Sequence, residues 1–89
     1  MKDKLLQIIN RYGIEHQQRK LQEEVFELQQ AIIKYEYVDF TELEDITEEI
    51  ADVQVMLKQF QYYYEITDEE IEELMQFKVD RQLERIEKE

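Results

Sequence analysis

Hydrophobic residues recur at intervals of three and four along most of the chain, which is the spacing of one face of an α-helix. Helices are predicted over residues 3–12, 14–36 and 42–65, with a fourth that opens near residue 67 and runs to about residue 86. The apolar stripe of the second helix consists of Leu21, Val25, Leu28, Ile32 and Tyr35. The stripe of the third helix consists of Leu43, Ile46, Ile50, Val53, Leu57, Phe60 and Tyr64.

The ends of the helices carry their own signals. Gly13 is the only glycine, and its lack of a Cβ suits the left-handed conformation that closes a helix. Thr41 followed by Glu44, and Thr67 followed by Glu70, match the capping box, in which each side chain accepts a hydrogen bond from a backbone N–H that is free at a helix start. Both matches fall where the apolar periodicity lapses, so they predict the starts of the third and fourth helices.

The fold class follows from these elements and from the length of the chain. The 89 residues contain no proline, and they predict a single all-α domain over residues 1–89. The expected architecture is a bundle of about four helices around an antiparallel central hairpin. A chain of this size buries only about 60–65% of its unfolded surface, so we expect homo-oligomerisation to complete the bundle.

Composition narrows the possible partners. The chain contains twenty-three Asp and Glu but only eleven Lys and Arg. The resulting net charge of −12 argues against binding the nucleic-acid backbone. Without cysteine there is no disulfide framework and no thiolate metal site. The apolar run at the N-terminus is too short for a signal peptide or a membrane span. The sequence therefore predicts a cytoplasmic protein with neither a membrane nor a nucleic-acid partner.

Two pairs of carboxylates lie beside the apolar stripes. Glu24 and Glu27 on the second helix, and Glu49 and Asp52 on the third, are each three residues apart and therefore share a helix face. In an antiparallel hairpin turning near residue 38, Glu24 lies as far from the turn as Asp52, and Glu27 as far as Glu49. We therefore expect all four carboxylates at one level of the hairpin.

Four clustered carboxylates repel one another unless a cation lies between them. Ligands that are all oxygen, without His or Cys, select hard ions, with Mg²⁺ first and Mn²⁺ as a substitute. The hypothesis that follows is metal-assisted attack of water on a phosphate ester or anhydride. The alternative is that both pairs are solvated helix edges, since glutamate is a strong helix former.

The two pairs also form a recognisable motif. The chain resembles the MazG-like, all-α nucleoside triphosphate pyrophosphohydrolases, whose signature is EExxE on one helix and ExxD on the next. Here it reads EEVFE at residues 23–27 and EIAD at residues 49–52, and the resemblance extends over about residues 13–85. It implies a helical bundle that hydrolyses a nucleoside triphosphate to a monophosphate and pyrophosphate. It also implies Mg²⁺ held by Glu24, Glu27, Glu49 and Asp52, with Glu24 or Glu27 activating water.

Substrate-binding residues are expected at two places. Lys78, Arg81 and Arg85 continue one face of the fourth helix, where relatives often contact phosphates, although the same cations also suit a helix C-terminus and local ion pairs. Gln17 and His16 begin the second helix, where relatives often read the nucleobase. The competing interpretation of His16, the only histidine, is a partly exposed helix residue without a ligand.

The remaining conspicuous side chains are assigned to packing. Consecutive helix positions point about 100° apart, so Tyr62, Tyr63 and Tyr64 cannot form one stacking platform; Tyr64 fits the core, and the other two suit a subunit interface. Met56 and Met75 are expected to fill the core.

The sequence is also compatible with two rival functions. One is a non-catalytic acidic helical protein that acts as a decoy for a basic partner. The other is an inactive relative that binds the metal but lacks the contacts needed for turnover.

Overall fold

The computed structural model describes the backbone of residues 1–37 and 43–89, and the side chains of residues 1–37 and 45–89. It contains four helices, α1 (Lys2–Tyr12), α2 (Ile14–Tyr37), α3 (Leu43–Tyr63) and α4 (Asp68–Glu87), and these described ranges contain no strand. The all-α prediction is confirmed, with helix ends within two residues of those expected. The predicted capping box of Thr41 and Glu44 lies outside the described side chains. Within the described ranges, no helix is long and apolar enough to cross a membrane.

Helices α2 and α3 form the predicted antiparallel hairpin, and α1 packs against both of them. The Gln17 side-chain amide donates to the Gln59 amide oxygen at 2.8 Å across the hairpin. These residues lie 21 positions either side of residue 38, so the hydrogen bond confirms the expected register. The apolar core is small, and its buried residues come from α1 and α3: Leu5, Ile9, Val53 and Met56.

The faces that α2 and α3 turn toward each other differ from those predicted. Val25 and Ile32 on α2 are 40% and 43% exposed, whereas Glu24 is buried. On α3, Ile50 is 42% exposed, whereas Glu49 is half-buried. Leu21, Leu28 and Val53 keep their predicted inward positions, so each contact face is turned by less than one position, and Glu24 and Glu49 lie in the seam between the helices and not on its flanks.

The structure corrects two further core assignments, one on α3 and one directly after it. Leu57 and Tyr64 are 51% and 57% exposed, whereas Met56 is buried as expected. The exposed apolar residues of α2 and α3 give this hairpin a second apolar surface that no described part of the chain covers.

The corner between α1 and α2 depends on Gly13. Its φ is +92° and its ψ is 155°, so φ is positive as expected, but the backbone is extended and not left-handed helical. Its N–H donates to the Ile9 carbonyl at 2.8 Å, and Gln17 N–H donates to the Gly13 carbonyl at 3.1 Å. One residue thus ends α1 and starts α2, which places His16 and Gln17 directly after the corner.

We expect Gly13→Ala to lower the free energy of unfolding by about 1–3 kcal/mol, because this combination of φ and ψ is adopted essentially by glycine alone. No atom lies within 4 Å of the position that the new Cβ would occupy, so the loss would come from the backbone and not from a clash. Chemical denaturation would measure it, with Gln18→Ala on exposed α2 surface as the control. A Gly13→Ala protein as stable as this control would contradict the assignment.

The turn between α3 and α4 is built from polar side chains. Glu65 adopts φ 60°, and Ile66 N–H returns to the Gln61 carbonyl at 2.9 Å, which is the pattern of a Schellman motif closed by a residue other than glycine. Thr67 and Glu70 form the predicted capping box, with both hydrogen bonds at 3.1 Å.

Helix α4 projects from the other three helices, with which it shares no helix–helix packing in the described chain. Its first residue, Asp68, accepts hydrogen bonds from Gln61 and Tyr62 and pairs with Lys58 at 3.3 Å. Beyond this turn every α4 side chain except Ile71 is exposed. The radius of gyration is accordingly 16.1 Å, against about 12 Å for a compact domain of this length.

Met75, which was expected in the core, is 55% exposed on α4, so that prediction is wrong for the isolated chain. Leu74, Phe77, Val79, Leu83 and Ile86 are likewise more than half exposed. This amphipathic helix therefore carries an apolar surface whose cover lies outside the described part of one chain.

Candidate metal centre and cleft

Three carboxylates from α2 and α3 converge in the seam of the hairpin. Glu24, Glu49 and Asp52, here called the acidic triad, each offer an oxygen, and these oxygens lie within 4.8 Å of one another. Glu49 and Asp52 are neighbours on one face of α3 because they are three residues apart, and the hairpin register brings Glu24 opposite them. The acidic triad is thus a site that could hold a metal ion.

Two carboxylate oxygens of the acidic triad have no hydrogen-bond partner among the described residues. Glu24 is 7% exposed, and its Oε2, like Oε2 of Glu49, is shielded from solvent without a hydrogen-bond partner among the described residues. A buried acceptor without a donor costs about 1–3 kcal/mol, and more when it is charged. A divalent cation would satisfy both oxygens, so the donor set fits a hard metal ion.

The pKa of Glu49 is raised by its burial and by its position among the other carboxylates. Burial raises the pKa of the Glu49 carboxyl above its ordinary value, and the negative charges of Glu27, Asp52 and Glu24 raise it further. In the absence of a cation, the folded protein therefore binds the Glu49 proton more tightly than the unfolded chain does.

This shift has a defined effect on metal-free stability. Because the folded-state pKa of Glu49 is raised, the stabilisation from its protonation is present in full below the ordinary value of 4.5 and is lost as pH rises through the folded-state pKa. We therefore expect the free energy of unfolding of the wild type, minus that of Glu49→Gln, to fall as pH rises, with EDTA present throughout.

Denaturation of both proteins across the acid-to-neutral range would measure this difference. Hydrogen bonds from Gln61 and Tyr62, followed by Lys58, lower the pKa of Asp68, so the stabilisation from Asp68 is lost as pH falls through its lowered pKa. That contribution is common to both proteins and cancels. A difference that does not vary with pH would contradict the crowding of Glu49.

Glu27 does not join the other three predicted ligands. Its side chain is exposed, and it is not a member of the group whose oxygens converge. Its charge is nevertheless the largest electrostatic influence on the Glu49 pKa after burial. Glu27 therefore lies beside the acidic triad, at its solvent-facing edge.

A cation pairs with one side of the acidic triad. Lys20 Nζ lies 3.2 Å from Glu24 Oε1 and 3.7 Å from Glu23 Oε2. The hydrogen bond to Glu24 and the attraction of its charge raise the pKa of Lys20. Lys20 thus holds Oε1 of Glu24 and leaves Oε2 of the same carboxylate to the centre of the triad.

The acidic triad opens onto a cleft of about 620 Å³ between α1, the first half of α2 and α3. Glu24 and Asp52 belong to its wall, together with the cations Arg19 and Lys20. The remaining lining is a mixture of aromatic, amide and apolar side chains: Ile8, Tyr12, His16, Gln17, Glu23, Val55, Met56 and Gln59.

The predicted substrate residues are divided by this structure. Gln17 lines the cleft and is 3% exposed. Lys78 and Arg81 lie on α4, outside the cleft lining, and the Arg81 guanidinium sits 5.6 Å from the centre of the Phe77 ring. One chain therefore brings the amide, but neither of these α4 cations, to the cleft. Arg85 also lies on exposed α4 surface.

Four polar or aromatic cleft residues were missed from the sequence, although two of them carried a signal. Lys20 precedes Glu24 by four residues and therefore shares its helix face. Gln59 mirrors Gln17 about residue 38, as Asp52 mirrors Glu24. Tyr12 and Arg19 gave no comparable signal, because their places depend on the corner at Gly13.

Comparison with protein-family models, curated proteins and solved structures found no match to this chain.

Proposed function

We propose that this protein is a Mg²⁺-dependent nucleotide pyrophosphohydrolase, which cleaves the α–β phosphoanhydride of a nucleoside triphosphate to a monophosphate and pyrophosphate. The observation that carries the proposal is the acidic triad, with two unpartnered buried oxygens, at the wall of a cleft that also presents Lys20 and Arg19. A polyphosphate needs positive charge on several sides, and a bound cation with two basic side chains would supply it.

The choice of metal rests on the donors. The acidic triad offers carboxylate oxygens alone, which suit Mg²⁺, with Mn²⁺ as a substitute. Mg²⁺ also keeps several water ligands and is commonly held by one or two carboxylates together with substrate phosphates. Glu24, Glu49 and Asp52 would hold the ion. When bound, it would acidify a coordinated water and neutralise charge on the phosphates.

The carboxylates of α2 would divide the remaining work. Glu24 is buried in the acidic triad and paired with Lys20, whereas Glu27 is exposed at its edge. Glu27 is therefore the better placed of the two to accept a proton from the attacking water. The water oxygen forms a bond to one phosphorus of the α–β anhydride, and the bridging oxygen leaves with the other phosphate.

A second copy of the chain is part of the proposal. Lys78 and Arg81 cannot serve the acidic triad of their own chain in this arrangement, because α4 projects away from the hairpin. The exposed apolar residues of α4 and of the α2–α3 hairpin would be covered in a homo-oligomer, in which α4 of one copy brings its cations to the acidic cleft of another. The attraction that favours this arrangement is local, between the cations Lys78 and Arg81 of one copy and the carboxylates of the acidic triad of the other.

A product assay tests the reaction. The protein, with Mg²⁺ and a panel of ribo- and deoxyribonucleoside triphosphates, should release monophosphate and pyrophosphate, and Glu49→Gln should reduce the rate by at least 100-fold, since one of the three metal ligands is lost. Glu48→Gln, the same chemical change on an exposed neighbour, should leave the rate unchanged. Release of diphosphate and phosphate would refute α–β cleavage.

The rival functions give other outcomes in the same assay. An inactive relative would bind Mg²⁺ through the acidic triad and release no product from any nucleotide. The net charge of −12 favours, as second candidate, an acidic decoy for a basic partner, which would neither turn over nucleotides nor bind Mg²⁺ at a defined site. House-cleaning of the cytoplasmic nucleotide pool is the role that the proposed reaction favours.

A further inference from the structure

A chain of hydrogen bonds runs from the core of the hairpin to the wall of the cleft. Gln59 Nε2 donates to Met56 Sδ at 3.6 Å, and Gln17 Nε2 donates to Gln59 Oε1 at 2.8 Å. Gln17 Oε1 lies 2.7 Å from His16 Nδ1. The four residues, here called the amide relay, connect α3 to the first turn of α2 and end on the only histidine.

The direction of the amide relay is set at its buried end. A thioether sulfur carries no hydrogen and can only accept, so the Gln59 amide turns its NH₂ toward Met56 and its oxygen toward Gln17. Gln17 must then donate with its NH₂ and present its own oxygen to His16. Because an amide oxygen also carries no hydrogen, the proton of this last hydrogen bond belongs to Nδ1 of His16.

Burial keeps the amide relay in this arrangement. Gln17 and Gln59 are 3% and 1% exposed, so reversing either amide would leave buried polar atoms unpartnered, at a cost that solvent does not relieve. The imidazole is held on its face as well, because the Tyr12 ring stacks on it with centroids 5.1 Å apart and planes 19° apart. His16 is thus fixed in orientation although its side chain is exposed.

We propose that the amide relay holds neutral His16 in the tautomer protonated at Nδ1, so that Nε2 is a hydrogen-bond acceptor that reads an N–H group of a ligand in the cleft. The ligand class follows from the proposed function, on which this half rests: the N–H is an amino or imino group of the nucleobase. His16 is the specificity-determining residue, and Gln17 and Gln59 are positioning residues that act through it.

Nuclear magnetic resonance of ¹⁵N-labelled protein tests the tautomer, and the single histidine makes the assignment unambiguous. At about pH 9, where imidazole rings are neutral, long-range ¹H–¹⁵N correlation should show His16 protonated at Nδ1. In Gln17→Leu/Gln59→Leu, where both buried partners become apolar together, the population should shift toward the Nε2-protonated form. Gln17→Glu, which keeps an acceptor oxygen for Nδ1, should retain the wild-type tautomer.

The wild-type spectrum decides this half even if the double variant fails to fold. Protonation at Nε2 in the wild type would overturn the proposal. A tautomer that is unchanged in a folded double variant would overturn the role of the amide relay.

Matched nucleotides test the base contact in the presence of Mg²⁺. Adenosine monophosphate is compared with purine riboside monophosphate, which lacks the amino group, and uridine monophosphate with N3-methyluridine monophosphate, which lacks the imino N–H. For the base that binds, we expect the missing N–H to weaken wild-type binding about five- to tenfold, as one hydrogen bond would. His16→Phe, which keeps an aromatic ring on Tyr12, should abolish this difference.

The outcomes separate this inference from the proposed function. An equal loss in the wild type and in His16→Phe would overturn the base contact while nucleotide binding stands. If neither protein bound any of these nucleotides, the base contact would be refuted for adenine and uracil, whereas the product assay would still decide the proposed function and the tautomer measurement would still decide the amide relay.

Discussion

Saturating Mg²⁺ should reverse the order of stability between the wild type and Glu49→Gln. In EDTA at neutral pH, we expect the variant to unfold at the higher denaturant concentration. With Mg²⁺ at about 100 times its dissociation constant, the wild type should gain about 2.7 kcal/mol and become the more stable protein. The variant should respond weakly, because one of its three ligands has become a neutral amide.

The reversal follows from the position of the acidic triad in the seam of the hairpin. Burial and the charges of Glu27, Asp52 and Glu24 make ionised Glu49 unfavourable in the folded protein without a cation. Glutamine removes that charge and nearly keeps the volume of the side chain. A cation changes the sign of the interaction, because the same three carboxylates then become its ligands.

Glu48→Gln is the matched control, since it removes one negative charge from the next position on α3, where the side chain is exposed. It should keep the full Mg²⁺ response. If both variants lost the response equally, Mg²⁺ would be acting as a diffuse counter-ion on an acidic surface, and the acidic triad would not be a binding site. Replacing Mg²⁺ by an equal ionic strength of NaCl would separate screening from binding in the wild type.

The position of the acidic triad along the hairpin could be predicted from the sequence, because the turning point of an antiparallel pair of helices fixes which residues lie at the same level. The mirror relation of Glu24 and Asp52 about residue 38 held, and the hydrogen bond between Gln17 and Gln59 reports the same register. The hydropathy pattern does not predict this pairing, because it gives no weight to polar residues that satisfy each other.

The rotation of the helices could not be predicted in the same way. Hydropathy assigns Val25 and Ile50 to the core, since burying them is favourable and burying a carboxylate is not. The structure does the reverse and buries Glu24 beside Glu49. A sequence rule fails at such positions when a site, and not packing, determines which side chain faces inward. Val25 and Ile50 are left on a surface that suits another chain.

The position of α4 could not be predicted from the sequence for a different reason. Its amphipathic pattern shows that one face needs cover, but the pattern is the same whether the cover comes from its own chain or from another. Only the structure shows that α4 leaves the bundle after Asp68. The expectation that Met75 is buried in its own chain failed at this point.

Removing the apolar stripe of α4 should dissociate the protein. In Met75→Ser/Val79→Ser, two side chains that are 55% and 53% exposed in one chain lose the burial that a second copy would give them. Each burial is worth about 1.5–3 kcal/mol, so the subunits should associate at least about 100-fold more weakly. Sedimentation equilibrium should give a multiple of 11.1 kDa for the wild type and the mass of one chain for the variant.

The control is Glu73→Ser/Glu84→Ser, which introduces two serines on the opposite side of α4. This variant should keep the mass of the wild type. The dissociated variant should also lose hydrolysis but keep its Mg²⁺-dependent stabilisation, because Lys78 and Arg81 come from the second copy whereas the acidic triad lies within one chain. A variant that stays oligomeric would place the interface elsewhere. A single-chain mass for the wild type would refute the homo-oligomer, and with it the supply of these cations from α4.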